Sequence, residues 1–197
     1  MIRLNLILIT LMAVVCSFQS CKVRKQQLAA DELLSENVEL SWAPNSIGNV
    51  LSFFPLNIRR LGLSRAAISD VVSVRVPRNA SKRAICHISE LGQLRLLVIR
   101  GPQEKLYGPS FSILKNCQSL TTVEIHDSDV SSEMIEVFQD LALEKLAIRN
   151  SRIDSTGVSA IRRLSSLRWL DLTGTELTSQ ETELLNSMPF LLRFDVD

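Results

Sequence analysis

The stretch SSLRWLDLTGTELTSQETELLNSM, residues 165 to 188, joins a strand pattern to a helix pattern. Leu167, Leu170 and Leu172 have the spacing apolar-x-x-apolar-x-apolar, which is typical of a short strand with one buried face. Thr178 and Glu181 have the spacing of a capping box, which marks the start of a helix. The stretch therefore predicts one unit made of a strand, a turn and an amphipathic helix.

The strand half of this unit recurs along the chain at a nearly constant interval. Six copies begin at residues 71, 94, 120, 143, 167 and 191, which lie 23, 26, 23, 24 and 24 residues apart. Such an interval is the sequence signature of stacked units that cannot bury their apolar faces alone. The positions that we assign to the core are Val71, Val74, Val76, Leu94, Leu97, Ile99, Leu120, Val123, Ile125, Leu143, Leu146, Ile148, Leu167, Leu170, Leu172, Leu191, Phe194 and Val196.

The helical half of the unit recurs as well. Three hydroxyl side chains occupy the turn after a strand, and three candidate helix N-caps follow them at one common spacing. Apolar residues seven and ten positions beyond each cap predict a buried helical stripe. These residues are Ser128, Ser151 and Thr175 in the turns, Ser131, Asp154 and Thr178 at the caps, and Phe138, Leu141, Ile161, Leu164, Leu185 and Met188 in the stripe.

A strand with spaced leucines followed by a helix, in copies of about 24 residues, resembles the leucine-rich repeats. The segment RIDSTGVSAIRRLSSL, residues 152 to 167, is similar to the bacterial ribonuclease-inhibitor-like class of these repeats. The resemblance covers about residues 71 to 197 and implies an α/β solenoid with a parallel sheet on the concave face and helices on the convex face. The family's asparagine after the strand is replaced here by hydroxyl residues, which predicts a weaker hydrogen-bond ladder.

The amino terminus has the pattern of an export signal. Arg3 precedes an apolar run from Leu4 to Val15, which is shorter than the roughly 20 residues that a membrane-spanning helix needs. The following segment SFQSCK, residues 17 to 22, resembles the lipobox of bacterial lipoproteins at Ser20 and Cys21, but departs from it at the two preceding residues. Lipid attachment at Cys21, ordinary cleavage nearby and an uncleaved anchor all stay open.

These features predict three parts of the chain. Residues 1–21 form a signal peptide or lipoprotein signal, residues 22–54 a tether and lead-in, and residues 55–197 the leucine-rich repeat domain. If Cys21 is modified as in bacterial lipoproteins, more than one acyl chain holds the protein firmly on a membrane. We therefore expect an exported protein of the cell envelope, either membrane-anchored or secreted.

The composition excludes several classes of function. The chain has 22 basic and 21 acidic side chains, so its net charge of +1 argues against nucleic acid as a partner. Only two histidines, His87 and His126, and no Cys-x-x-Cys pair occur, so we expect no metal site. No phosphate loop, dinucleotide fingerprint or nucleophile with a specified base occurs, so we expect no cofactor and no catalysis. A disulfide between Cys86 and Cys117 is disfavoured, since only Cys117 takes a buried helical position.

The residues between the core positions are expected to face outward on the concave side. Their amino-terminal half gathers basic residues, and their carboxy-terminal half gathers acidic residues beside a tryptophan. Because aromatic residues and arginine are favoured at binding hot spots, this surface is a candidate binding face. The alternative is a row of ordinary solvated strand positions. The candidate site residues are Arg75, Arg100, His126, Arg149 and Lys145 in the basic half, and Trp169, Asp171 and Asp195 in the acidic half.

These observations predict a non-catalytic, protein-binding leucine-rich repeat module of an exported, membrane-anchored protein, whose partner is an unidentified protein. The alternative is a structural component of the envelope that associates through the open edge of the repeat array at its last strand. We expect Arg100, His126 and Arg149 to form one basic row that attracts an acidic partner. Reversing Arg100 and Arg149 to glutamate should then weaken capture of the partner and leave stability nearly unchanged.

Overall fold

The computed structural model describes residues 21–44, 69–78, 80, 86–101 and 109–197. Residues 1–20 of the predicted signal and residues 45–54 of the predicted tether and lead-in therefore lie outside the described residues. No helix in the described ranges is long and apolar enough to cross a membrane.

Seven strands form one sheet in the order β1-β2-β3-β4-β6-β8-β9. From β2 to β9 all neighbours are parallel, and each strand pairs with the equivalent residues of the next repeat. Two further short strands, β5 and β7, pair in parallel beside this sheet. The strands are β1 Glu39–Pro44, β2 Ser69–Val76, β3 Leu96–Arg100, β4 Thr122–His126, β5 Asp129–Val130, β6 Lys145–Arg149, β7 Arg152–Ile153, β8 Trp169–Asp171 and β9 Arg193–Asp195.

Short helices return the chain from one parallel strand to the next. Two of the predicted caps work as expected, because Asp154 accepts a hydrogen bond from the Gly157 N–H at 2.7 Å and Thr178 forms the full capping box with Glu181. Ser131 takes the N-cap position without such a bond. The helices are α1 Cys21–Ser35, α2 Pro109–Ser112, α3 Ser132–Glu136, α4 Ser155–Ile161 and α5 Ser179–Asn186, and the 3-10 turns Ile113–Asn116 and Val137–Asp140 extend α2 and α3.

The buried core confirms the predicted strand register. Every predicted strand position in the first five copies is at most 1% exposed, whereas Leu191, Phe194 and Val196 of the sixth copy are partly exposed. The predicted helical stripe is also buried, apart from the partly exposed Met188. Strand and helix residues share one apolar cluster, so the chain forms an α/β repeat fold with the sheet as one layer and the helices as the other.

The turns after the strands are joined by buried hydroxyl groups. Ser128 Oγ donates to the Gly101 carbonyl at 2.6 Å, and Thr175 Oγ1 donates to the Ile148 carbonyl at 2.9 Å. Ser151 Oγ accepts a hydrogen bond from the Ser128 N–H at 3.2 Å. Since these hydroxyls are buried and bonded, they link consecutive repeats, while the predicted weakness of this ladder stays a prediction.

A second regular feature of these turns is a residue in the left-handed region. It is Gly101, Asp127, Asn150 or Gly174 in four successive repeats, with φ between +48° and +80°. The N–H groups of the first three donate to a carbonyl of the next repeat at 2.8 to 3.0 Å. Glycine, asparagine and aspartate are the residues that tolerate this conformation, so the turn chemistry explains their placement.

The amino-terminal described residues pack on the first repeat. Ala29, Ala30 and Leu33 of α1 are buried in the same apolar cluster as the repeats. Strand β1 pairs antiparallel with β2 and so covers that edge of the sheet. The first part of the predicted tether thus consists of a helix and a strand that belong to the packed structure, while the predicted domain boundaries stay a prediction.

Candidate functional site

The sheet face, meaning the side of the sheet away from the apolar core, carries all predicted site residues except Cys21. The observed pairing places them in three columns across the strands, as the repeat spacing predicts. The columns are Arg75, Val98, Glu124, Ala147, Asp171 and Asp195; then Arg100, His126 and Arg149; then Ser73, Leu96, Thr122, Lys145, Trp169 and Arg193.

In the column that begins with Arg75, three side chains are buried although they point away from the apolar core. Val98, Ala147 and Asp171 are 3%, 0% and 3% exposed. Asp171 is consequently a buried charge, which needs partners in order to be tolerated.

Arg149 is the main partner of Asp171. Its Nε donates to Asp171 Oδ2 at 2.7 Å, and its Nη2 donates to the same oxygen. The Thr173 hydroxyl and N–H donate to Asp171 Oδ1 at 2.7 and 3.1 Å. Burial raises the pKa of Asp171, but the hydrogen bonds from Arg149 and Thr173 outweigh it, so the pKa is lowered overall. The hydrogen bond to Asp171 correspondingly raises the pKa of Arg149.

Glu124 joins two of the residues that we assigned to the basic half. Lys145 Nζ donates to Glu124 Oε1 at 2.9 Å, and His126 Nε2 lies 3.7 Å from Glu124 Oε2. Burial raises the pKa of Glu124, but the hydrogen bond from Lys145 and the nearby cations lower it further than burial raises it. Glu124 therefore carries its negative charge within the basic half.

Trp169 lies between cations from its two neighbouring strands. Lys145 Nζ is 4.0 Å from the ring centroid, and Arg193 Cζ is 4.5 Å from it. The indole Nε1 donates to Asp195 Oδ2 at 2.8 Å, and Arg193 Nε donates to the same oxygen at 2.7 Å. The indole is thus held by two cation–π contacts and a hydrogen bond.

At the other end of the sheet face, Arg75 Nη1 lies 3.5 Å from Glu39 Oε2 of β1, and both side chains are largely exposed. Arg75 and Arg100 line a shallow pocket of about 110 Å³ together with Asn37 and Glu39. The predicted site residues therefore form one dense cluster around Trp169 and a looser pair near β1.

The basic half and the acidic half meet between β6 and β8, where an ion pair joins them, so the two halves are not electrostatically separate. Arg149 of the basic half binds Asp171 of the acidic half, and Glu124 lies among the basic residues. Arg149→Glu would place a second carboxylate beside the buried Asp171. The double variant with Arg100→Glu should therefore be less stable than the wild type, contrary to the expectation from the sequence. Arg193 and Glu124, which were not among the candidate site residues, also belong to this cluster, and both occupy the predicted columns.

The possible metal ligands and the thiols of the described residues are not grouped into a metal site or a disulfide. They contain no group of three His, Cys, Asp or Glu side chains placed to hold a metal ion. Cys86 and Cys117 are free thiols, one exposed and one buried. Burial raises the pKa of Cys117 to about 11, so this thiol stays protonated at neutral pH.

Among solved structures, the chain is similar to two internalins of Listeria monocytogenes. The internalin inlF shares 15% sequence identity with a TM-score of 0.33, over 57% of this chain and 45% of that chain. The internalin C2 (inlC2) shares 14% identity with a TM-score of 0.35, over 78% and 86%. This chain therefore spans less than half the length of the first of these structures. No protein-family model matches the sequence, and no curated protein matches it.

Proposed function

We propose that the chain is a leucine-rich repeat solenoid that binds a protein partner through its concave sheet face and catalyses no reaction. The observation that carries this proposal is the position of Trp169 between Lys145 and Arg193 on the sheet face. Tryptophan and arginine are the residues most enriched at binding hot spots.

The contacts around Trp169 also favour binding on energetic grounds. A partner that orders a mobile side chain loses roughly 0.5 to 1.5 kcal/mol for each one immobilised. Here the indole N–H bond to Asp195 and the ring contacts order these side chains before any partner arrives. Preorganisation of this kind is a recurrent property of binding surfaces and is not required by a merely solvated strand position.

The test is to obstruct the sheet face with one bulky residue. Thr122 is a partly exposed residue at the centre of the face, and Gln139 is exposed in the helical layer. We expect the full chain and Gln139→Trp to capture the same protein from envelope extracts, and Thr122→Trp to lose it. Equal capture by folded Thr122→Trp, or loss in Gln139→Trp, would contradict the proposal.

We further propose that the protein is exported and held on a membrane through Cys21. The support is the apolar run before Cys21 and its partial match to a lipobox. Metabolic labelling with a palmitate analogue tests this proposal. We expect label on the wild-type chain and none on Cys21→Ala, and equal labelling of both would refute lipidation.

A second candidate function is association in the envelope through the edge of β9. Two exposed apolar side chains favour it, since Phe190 is 56% exposed and Leu192 is 84% exposed, both just before that strand. Leu192→Lys should then abolish concentration-dependent association in sedimentation experiments, whereas Thr122→Trp should leave it unchanged. A chain that stays monomeric at high concentration would exclude this candidate.

A further inference from the structure

We infer that the partner presents carboxylate groups to three cations of the sheet face, Lys145, Arg149 and Arg193, which we name the cation layer. The inference rests on the proposed function, because it specifies the chemistry of the partner at the same site. The partner is accordingly a protein with an acidic segment.

The cations and carboxylates of this cluster differ in their exposure to solvent. The carboxylate side chains of Asp171, Glu124 and Asp195 are 5%, 21% and 31% exposed. The side chains of Lys145, Arg149 and Arg193, which pair with them, are 21%, 36% and 60% exposed. In two of the three pairs the cation is the more accessible member, and in the third the two are equal.

The cations keep hydrogen-bond donors that the described residues do not use. Arg193 donates through Nε alone, so both of its Nη groups remain. Arg149 donates through Nε and Nη2, so Nη1 remains. Lys145 donates one hydrogen bond, to Glu124, out of the three that an ammonium group offers. A partner that binds to the cation layer contacts these N–H donors, so it needs hydrogen-bond acceptors at the contact.

Arg193 has the geometry that recognises a carboxylate. Its guanidinium is held over Trp169 and is fixed at Nε by Asp195. The two Nη groups form a planar fork, and a fork of this kind binds the two oxygens of a carboxylate together. Lys145 and Arg193 lie on strands either side of Trp169, so their backbones are about 10 Å apart, which suits neighbouring acidic side chains of one segment.

Nucleic acid fits this surface poorly. Phosphate binding draws its affinity from a row of uncompensated cations that release counterions. Each cation here is already paired with a carboxylate, so the surface attracts a charged partner only weakly at long range. Recognition of the partner must therefore come from short hydrogen bonds. A second copy of the chain remains an outcome of the test.

The experiment titrates the full chain with a hexaglutamate peptide blocked at both ends, and with hexaglutamine as the control. Trp42 and Trp169 are the only tryptophans, so the two indole signals in a ¹⁵N spectrum are assigned with one Trp169→Phe variant. We expect hexaglutamate to shift the Trp169 signal and hexaglutamine to leave it in place. Arg193→Gln should weaken binding about tenfold, which equals about 1.4 kcal/mol.

Arg163→Gln is the matched control, because Arg163 is a similarly exposed arginine that pairs with Glu136 in the helical layer. It should retain the wild-type affinity within about twofold, as expected of a surface ion pair remote from the site. If Arg163→Gln and Arg193→Gln weaken hexaglutamate binding equally, the peptide binds by general charge attraction, and the inference is overturned.

Two further outcomes would also overturn the inference. If hexaglutamate leaves Trp169 unmoved while Thr122→Trp still abolishes capture of the partner, the face binds protein but not through carboxylates. If the chain alone dimerises in sedimentation experiments and Arg193→Gln prevents it, the cation layer takes a second copy instead of an acidic partner.

Discussion

Replacement of Arg149 by methionine should destabilise the folded chain, because it removes the cation from a buried carboxylate. The Asp171 side chain is 5% exposed, and Arg149 supplies two of its hydrogen bonds. Methionine keeps most of the volume of the arginine stem, so the variant isolates the loss of charge and donors from the loss of packing.

The expected magnitude follows from the environment of the pair. Breaking a fully buried ion pair from one side costs about 3 to 5 kcal/mol. Arg149 is 36% exposed, and Thr173 continues to donate to Asp171 in the variant, so the loss should be smaller. We expect about 2 to 3 kcal/mol from urea unfolding followed by far-ultraviolet circular dichroism.

The pH dependence of this loss has a definite sign. In the wild type the pKa of Asp171 is lowered, so its contribution to stability is present above its ordinary pKa and is lost as pH falls through the folded-state pKa. Without Arg149, the largest of the causes that lower this pKa is lost, so Asp171 contributes less stability above its ordinary pKa in the variant. The difference between the two proteins should therefore be largest near neutral pH and should shrink in acid.

Two controls test this reasoning. Arg193→Met breaks a pair of similar chemistry whose side chains are 60% and 31% exposed, so it should cost less than about 1 kcal/mol. Asp171→Asn in the Arg149→Met background removes the isolated charge and should recover about 1 kcal/mol. Equal losses for Arg149→Met and Arg193→Met, at every pH, would refute the buried-charge argument.

Three other changes test the core, the turns and the thiols. Leu146→Ala should cost roughly 2 to 5 kcal/mol of unfolding free energy, because Leu146 is 0% exposed, and an unchanged urea midpoint would contradict the strand register. Gly174→Ala should cost about 1 kcal/mol at its φ of +72°, whereas Asn150→Gly at +48° should stay within about 0.5 kcal/mol; equal losses would argue against the left-handed turn. Iodoacetamide at pH 8 should spare Cys117 in the folded protein, since its pKa is raised to about 11, and mass spectrometry showing its rapid alkylation would disprove its burial.

The repeat spacing predicts the strands and the core because each strand obeys a local rule. Leu146 is buried by the alternation of faces along a strand, and its partners lie one repeat away in either direction. The Thr178 and Glu181 capping box is likewise a contact between residues three apart. The left-handed turns were detectable in the same way, since Gly101 and Gly174 occupy equivalent turns.

The ion pairs of the sheet face could not be predicted in this way. Arg149 and Asp171 stand in different columns on neighbouring strands, and only the side-chain conformations decide which carboxylate the guanidinium reaches. The packing of α1 and β1 also escaped prediction, because neither element repeats the pattern of the other units. β1 also pairs antiparallel with β2, whereas the repeat spacing predicts only parallel pairs.

Site-specific photo-crosslinking tests the role of the sheet face most directly. A benzoylphenylalanine residue would replace Leu96 or Thr122 on the sheet face, or Gln139 or Arg162 in the helical layer, where all four side chains have some exposure. We predict that a partner protein from envelope extracts is crosslinked from the two sheet positions and from neither helical position. Crosslinks of equal yield from both layers, or from the helical layer alone, would contradict binding through the sheet face.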